Sequence, residues 1–289
     1  MAELEDYSGV ELKDVGFEIF SKDFLFRILH EWADNYVNLS QNWYKSCEER
    51  LGTEAANNCM MAVWQIIAEV TAPQFAKMLN QVEMESSDSG EKGDWFGPLK
   101  VLKVNDFTKD SLIKVMEVFY IEHVRMAGCW WNLMTQRAGD EVACDCQLEV
   151  WVNTSKIALP KMAKALNIEV NDLVDAFKVQ RCVDGGCFTG LFQQEYEIKS
   201  RNHVIYHMSR CVGLEWMEKN TPHRTQWLCH VFEPAMWKAY IGSLLPAVEI
   251  TALKLPPHKS PDESPVCLWE FKLPGKGAHS GKGGLRHTA

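Results

Sequence analysis

The chain has 289 residues, of which 46% are hydrophobic and 24% charged, so it is long enough to bury one large core or two ordinary ones. Its formal net charge of −9 argues against a nucleic-acid partner and against an anionic membrane surface, because both require a basic face. No apolar run reaches the roughly 18–20 residues that cross a bilayer, and the acidic start lacks the pattern of a secretory signal. With ten cysteines, we therefore expect a reducing, cytoplasmic location with free thiols or metal ligands rather than disulfides.

The first half of the chain is internally repeated. Residues 20–80 align with residues 107–167 at an offset of 87 without a gap, and 18 of the 61 aligned positions are identical. The identical pairs include Phe20/Phe107, Trp43/Trp130, Gly52/Gly139, Cys59/Cys146, Trp64/Trp151 and Pro73/Pro160. A repeat of this length predicts two copies of one supersecondary unit.

Each copy has the pattern of a helical hairpin. Ser21 and Thr108 stand where an N-cap belongs, and apolar residues follow at helical spacing. Gly52 and Gly139 are suited to end the first helix of each copy, because glycine adopts left-handed backbone angles at little cost. Four long helices predict a shared bundle, in which one copy packs on the other and mimics or mediates a dimer contact.

Composition predicts five segments along the chain. An acidic stretch rich in serine and glycine separates the two helical copies, and a glycine-rich basic stretch follows the last apolar strand. The segments are a first helical repeat (1–82), a linker (83–106), a second helical repeat (107–180), an α+β domain (181–273) and a disordered tail (274–289).

The third quarter of the chain changes from helical to alternating periodicity. A short helix is predicted from an Asn171 cap to about Lys178, followed by a loop over Arg181–Cys187. Cys182 and Cys187 in this loop are interpreted as free thiols, with a metal pair or a redox disulfide as alternatives.

A four-stranded sheet is predicted beyond that loop. Two strands form a hairpin, two helices follow, and two further strands end the fold. The predicted elements are strands at Phe192–Ile198 and Val204–Cys211, helices at Gly213–Lys219 and Cys229–Gly242, and strands at Val248–Leu255 and Val266–Leu273. This ββααββ order predicts an α+β fold whose antiparallel sheet carries helices on one face.

Strand and helix parity brings several reactive side chains together. Cys267 and Trp269 belong to the core face of the last strand, and His207 shares a face with Cys211 on the second strand. Cys229 and Glu233 are four residues apart on a helix and so lie on one side.

Three interpretations of this constellation stay open. Cys211, Cys229, Cys267 and His207 could bind zinc or iron and leave one position for a water. Alternatively, a thiolate nucleophile at Cys229 or Cys211 could be activated by histidine or by a helix N-terminus, or the cysteines are buried apolar residues.

Several segments resemble an uncharacterised family of bacterial and archaeal cytosolic proteins. The segments are Leu4–Gly9, Phe107–Leu112, Lys161–Ile168, Arg210-Cys211, Leu228–Glu233, Leu253–Pro261 and Cys267–Leu273. That family is distantly similar to L-2-amino-thiazoline-4-carboxylic acid hydrolases and to the 4-vinyl reductase ligand-binding domain. Its pattern carries cysteines at the positions of Cys211, Cys229 and Cys267, whereas Val212 stands where the family usually has proline.

The resemblance implies a pocket in the α+β domain, for which three functions are considered. The first is hydrolysis of a small sulfur- or nitrogen-containing substrate, with Cys229, Glu233 and His230 as catalytic residues. The second is a non-enzymatic sensor module that binds haem, a metal or another ligand, and the third is a helical interaction protein. In the first two, the ligand is expected to contact Trp216, Trp227 and Trp269.

Overall fold

A computed structural model describes residues 3–5, 7–12, 16–73, 77, 107–186, 188–257 and 264–274. Within these ranges, two helical hairpins precede a layer of helices that packs on a four-stranded antiparallel sheet. The predicted α+β fold is therefore confirmed. The predicted linker (83–106) and residues 275–289 of the predicted tail lie outside the described residues. In the described ranges, no helix has the length and apolar character needed to cross a membrane.

The first hairpin consists of α1 (Lys22–Leu51) and α2 (Thr53–Ile66). Helix α1 begins where the Ser21 hydroxyl accepts a hydrogen bond from the Phe24 N–H at 3.1 Å, which satisfies one of the unpaired N–H groups of the first turn. It ends at Gly52, whose φ of 84° is open to glycine because glycine has no Cβ. Helix α1 therefore begins and ends where the sequence predicts.

The second hairpin, α3 (Lys109–Ala138) and α4 (Asp140–Ala165), begins in the same way. The Thr108 hydroxyl accepts from the Ser111 N–H at 3.2 Å, and Gly139 ends α3 with a φ of 86°. Helix α3 starts and stops 87 residues after α1, so the offset seen in the sequence is also the offset of the helix boundaries.

The two hairpins pack against each other through corresponding residues. The rings of Trp43 and Trp130 stack with centroids 6.2 Å apart and planes at 4°. Lys22 Nζ donates to the Phe107 carbonyl oxygen at 3.0 Å, and Lys109 Nζ donates to the Glu18 carbonyl oxygen at 2.7 Å. Lys22 and Lys109, which occupy matching positions in the repeat, therefore each donate a hydrogen bond to the segment that precedes the other hairpin.

The sheet layer begins with a helix and contains four strands. Its elements are α5 (Leu173–Asp184), β1 (Phe192–Ser200), β2 (His203–Cys211), α6 (Val212–Asn220), α7 (Glu233–Leu244), β3 (Glu249–Lys254) and β4 (Cys267–Lys272). A 3-10 turn and a helical segment with a π-helical turn lie between α6 and α7. The strand order is β1-β2-β4-β3, and every neighbouring pair is antiparallel.

Helix α5 is longer than the sequence predicts. Its cap is Asp172 rather than Asn171, because the Asp172 carboxylate accepts the Asp175 N–H at 3.1 Å. The helix then continues to Asp184, so Cys182 is a fully buried helical residue and not a loop thiol. Cys187, its predicted companion, lies outside the described residues.

One face of the sheet forms the core of this layer. Val204 pairs with Phe271 and Tyr206 pairs with Trp269 across β2 and β4, and all four side chains are buried. Phe177 of α5 packs edge-on against Phe271, with ring centroids 4.9 Å apart. The predicted inward face of β4 is thus confirmed, and the helices lie on that face.

Candidate functional site

A small cavity lies where β2 and β4 meet the helical segment before α7. Its volume is about 20 Å³, which is space for one water-sized molecule. Three cysteines and one glutamate are among its lining residues, and the surface that the lining exposes to the cavity is apolar. The lining residues that the sequence singled out are Cys211, Cys229, Cys267, Glu233 and Trp269, and we call this the cysteine cavity.

A bulge in β2 decides which side chains of that strand reach the cavity. Gln193 pairs with Arg210 and Gln194 pairs with Met208, so Ser209 is an extra residue without a partner on β1. An extra residue reverses the alternation of side chains. Cys211 therefore lies on the same side as Met208, and both line the cavity.

His207 lies on the other face of the sheet. It pairs with Leu268 of β4, and Met208, the next residue, pairs with Cys267 on the cavity side. The prediction that His207 joins Cys211 was wrong, because it assumed a regular strand. His207 is therefore not among the residues that line the cysteine cavity.

Cys229 reaches the cavity from the middle of a helical segment. It belongs to a π-helical turn (Leu228–Phe232) that follows Thr225–Trp227 and leads directly into α7. The expectation that Cys229 begins a helix was wrong, so a helix N-terminus does not activate its thiol. Burial, followed by the charge of Glu233, raises the pKa of Cys229 to about 12.

The three thiols share one electrostatic environment. Burial raises the pKa of Cys267 to about 12, and it raises the pKa of Cys211 still further. The charge of Glu233 adds to both shifts. At neutral pH all three groups are thiols rather than thiolates, and a thiol is a poor nucleophile.

Glu233 is the ionisable carboxyl of the cavity. Burial, followed by the charge of Asp184, raises its pKa from the ordinary 4.5 to about 7. Among the described residues, no hydrogen bond or ion pair is made by its side chain. A carboxyl with a pKa near 7 is suited to accept and return a proton at neutral pH.

The other predicted site residues lie away from the cavity or at its rim. His230 Nε2 donates to the Pro256 carbonyl oxygen at 2.6 Å, so its ring faces the chain after β3. Trp216 is exposed on α6, with 47% of its surface accessible. Trp227 packs against Trp131 with ring centroids 5.5 Å apart, which places it at the contact with the helical bundle. Only Trp269 of the three tryptophans lines the cavity.

A metal centre has no geometric support in the part of the chain that the structure describes. There, no group of three or more His, Cys, Asp or Glu side chains has an arrangement that holds a metal ion. The cysteines line one cavity without forming such a group. Zinc or iron as a cofactor stays a prediction.

Asp184 is a partly buried acidic residue that the sequence did not indicate. It lines a second cavity of about 10 Å³ at the junction of both helical hairpins with the sheet layer, which we call the Asp184 cavity. The other lining residues include Asn35, Tyr120, His123, Trp151 and Tyr240. The Tyr120 hydroxyl donates to its Oδ1 at 2.7 Å, and Gln180 Nε2 donates to its Oδ2 at 3.2 Å. Burial raises the pKa of Asp184, although these hydrogen bonds oppose the shift. The sequence analysis did not single out Asp184, because it placed the residue in a loop over Arg181–Cys187, where an aspartate is normally solvated.

Comparison with protein families adds one finding to this geometry. Residues 105–273 match a family of unknown function (DUF6125). The chain belongs to this family. The match covers the second hairpin and the sheet layer, and therefore the whole cysteine cavity. No curated protein and no solved structure matches the chain. The likeness to thiazoline hydrolases and to the vinyl reductase domain thus has no support from these comparisons.

Proposed function

We propose that the cysteine cavity is a small-molecule site in which Glu233 acts as a general base. The observation that carries this proposal is the position of Glu233, which lines the cavity together with three cysteines and has no ion-pair partner among the described residues. Burial, followed by the charge of Asp184, raises its pKa to about 7. A structural carboxyl that is partly withdrawn from solvent is normally paired, because an unpaired charge there loses part of its hydration. Perturbed and unpaired groups of this kind are concentrated at functional sites.

The chemistry of the walls favours a soft, neutral ligand. Three protonated thiols and the Trp269 ring offer polarizable contacts and few strong hydrogen bonds. Among the described lining residues, Glu233 is the one that can carry a charge, and it repels an anionic group brought close to it. These properties suit the neutral sulfur and nitrogen atoms of a small heterocycle.

The reaction that fits these groups is hydrolysis of a carbon–nitrogen bond. The Glu233 carboxylate takes a proton from a water molecule, and the water oxygen adds to the electrophilic carbon. The carbon–nitrogen bond then breaks, and the proton passes from Glu233 to the departing nitrogen. The volume of about 20 Å³ accommodates the attacking water. A substrate requires the walls to separate, and Leu255, Pro256 and Val266 are the wall residues outside regular structure.

A turnover assay with 2-amino-2-thiazoline, a small sulfur- and nitrogen-containing heterocycle that has no carboxylate, tests this proposal. We expect wild-type protein to consume the probe, and Glu233→Gln to lower kcat by about 10²- to 10⁴-fold, the usual contribution of a general base. Glu249→Gln is the matched control, since it removes an exposed carboxyl at the start of β3. Consumption of the probe is followed by mass spectrometry.

Cysteine variants separate this mechanism from thiol catalysis. Cys229→Ala and Cys211→Ala should retain most of the turnover, because their thiols are protonated at neutral pH. The proposal is wrong if Cys229→Ala abolishes turnover while Glu233→Gln preserves it. It is also wrong if wild-type protein neither consumes the probe nor binds it in a calorimetric titration.

A further inference from the structure

One side of the first hairpin exposes large apolar side chains. Met61 and Trp64 of α2 are 67% and 46% exposed, and Val37 of α1 is 53% exposed. The Tyr44 hydroxyl of α1 donates to Asn57 Oδ1 of α2 at 3.0 Å. Val37 lies two helical turns before Tyr44, and Trp64 lies two turns after Asn57, so both project from the same side of this antiparallel hairpin. We call Val37, Met61 and Trp64 the hairpin face.

The second hairpin packs the positions that match the hairpin face 87 residues later. These counterparts contact the hydrophobic core and are only partly exposed: Val124, Leu148 and Trp151. Helix α7 of the sheet layer packs on α4, and its Tyr240 lines the same cavity as Trp151. The same surface is therefore covered in the hairpin that the sheet layer follows, and it is exposed in the first hairpin, which lies outside the family match.

The sequence around the hairpin face also lacks charge. Residues 55–68, which cover most of α2 and the turn after it, contain no Asp, Glu, Lys, Arg or His, although 24% of the chain is charged. The matching residues 142–155 include Asp145 and Glu149. A helix that faces water normally carries charged residues on its outer side, whereas the centre of a protein interface is depleted of charge and enriched in aromatic residues and methionine. Helix α2 thus has the composition of a contact surface.

We propose that the hairpin face is the contact of a homodimer, in which α2 of one chain packs on α2 of a second copy about a two-fold axis. A two-fold contact sets a surface against itself, so the surface must be self-complementary. The apolar side chains of Met61 and Trp64 meet this requirement. The exposed amide of Asn58 meets it too, because an amide both donates and accepts hydrogen bonds.

Charge favours a second copy as the occupant of this face. Each chain has a net charge of −9, so two copies repel each other wherever their charged surfaces meet. On an uncharged helix they approach without like charges facing each other. A partner recognised by its charge finds no counter-charge on residues 55–68. The sheet layer of the second copy is not the occupant, because its α7 already packs on its own α4.

The molar mass in solution tests the homodimer. Sedimentation velocity from nanomolar to near-millimolar protein should show a species of twice the 33.0 kDa of one chain. Met61→Glu should raise the dissociation constant at least about 100-fold, because it places two carboxylates at a contact without a counter-charge. Ile157→Glu is the matched control, since it adds the same charge at an exposed apolar position of the other hairpin and should leave the dissociation constant unchanged.

Opposite charges at one position test the two-fold geometry. Met61→Glu and Met61→Lys should each be monomeric at a concentration where the wild type is dimeric. Their equimolar mixture should regain the dimer, because the carboxylate of one chain then faces the ammonium group of the other. Circular dichroism checks that both variants are folded, which we expect because Met61 is exposed in the single chain.

Three results would overturn the homodimer. A wild type that stays at 33.0 kDa over the whole series would favour another protein, or the chain between the two hairpins, as the occupant of the face. The other two are a dimer that Met61→Glu and Ile157→Glu leave equally strong, and oppositely charged variants that do not associate. The described lining residues of the cysteine cavity include none from α1 or α2, so mass measurements and turnover assays succeed or fail independently.

Discussion

The two cavities place the same functional group in opposite surroundings. Glu233 lies among thiols and apolar side chains and has no partner in the described part of the chain, whereas Asp184 accepts hydrogen bonds from Tyr120 and Gln180. Burial raises the pKa of both carboxyls. The difference teaches that desolvation is the main cause that raises the pKa of a carboxyl, and that neighbouring hydrogen-bond donors oppose this shift.

The largest expected effect is the loss of stability when Trp269, a residue that lines the cysteine cavity, is truncated. Trp269 is 2% exposed, and its ring centroid lies 6.2 Å from that of Trp237. Trp269→Ala should lower the free energy of unfolding by about 3–5 kcal/mol, because it leaves a void in a packed core. Urea titration measures the loss.

The control for this substitution is Trp216→Ala, which removes a tryptophan that is 47% exposed. It should change stability by less than about 1 kcal/mol. Equal losses in the two variants would contradict the assignment of Trp269 to the cavity wall. The Tyr120 hydroxyl donates to Asp184 at the other cavity. NMR should therefore show that this hydrogen bond is still present in Trp269→Ala.

The next largest effect is on the pH dependence of stability, which should have opposite signs for a residue of each cavity. Glu233 binds a proton more tightly in the folded protein, with a pKa of about 7 against 4.5, so its contribution is lost as pH rises from 4.5 through 7. His123 behaves in the opposite sense, because its folded pKa of about 4 lies below the ordinary 6.5. Its contribution is lost as pH falls through that window. Each contribution is at most about 3 kcal/mol.

In wild-type protein these two slopes oppose each other. Glu233→Gln should therefore make stability fall more steeply between pH 6.5 and 4.5, and His123→Gln should make it rise over the same interval. The double variant should resemble the wild type in slope. Denaturation midpoints measured across that interval provide the test, and parallel curves for all four proteins would refute the two assignments.

The smallest effect concerns the partner of Asp184. Tyr120→Phe removes the hydroxyl that donates to Oδ1 at 2.7 Å and should cost about 1–2 kcal/mol at a pH where Asp184 is ionised. Tyr44→Phe removes a hydroxyl that donates to Asn57 at the surface and should cost less than about 0.5 kcal/mol. A Tyr120→Phe protein as stable as the control would show that Asp184 does not depend on this donor.

Much of the fold could be predicted because local rules govern it. Ser21, Thr108, Gly52 and Gly139 mark the helix boundaries through capping and backbone freedom alone. The sheet followed from alternation, and Trp269 lies on the predicted face. These features depend on residues within a few positions of each other.

The errors arose where one residue changed the register of an element. The extra residue Ser209 reversed the parity of β2, so Cys211 turned toward the cavity and His207 did not. A π-helical turn placed Cys229 inside a helical segment rather than at its start. Neither irregularity has a clear signal in the sequence, because both depend on packing against distant elements.

The Asp184 cavity was missed because residues from five helices compose it. Asn35 and Asp184 are far apart in sequence, and neither belongs to a recognisable motif. One signal was available. Asn35 and Tyr36 align with Glu122 and His123 in the repeat, and these positions differ in polarity and charge although the flanking pattern is shared.

Two hairpins carried by one chain need not have identical side chains at matching positions. A homodimer of identical hairpins must place the same side chain at both ends of its two-fold axis, whereas this chain carries Asn35 at one position and Glu122 at the matching one. A second acid in place of Asn35 would bring another negative charge to the cavity that holds Asp184. Two hairpins in one chain can thus differ, and here the first hairpin contributes a neutral amide to an interior in which α5 of the sheet layer supplies the acid.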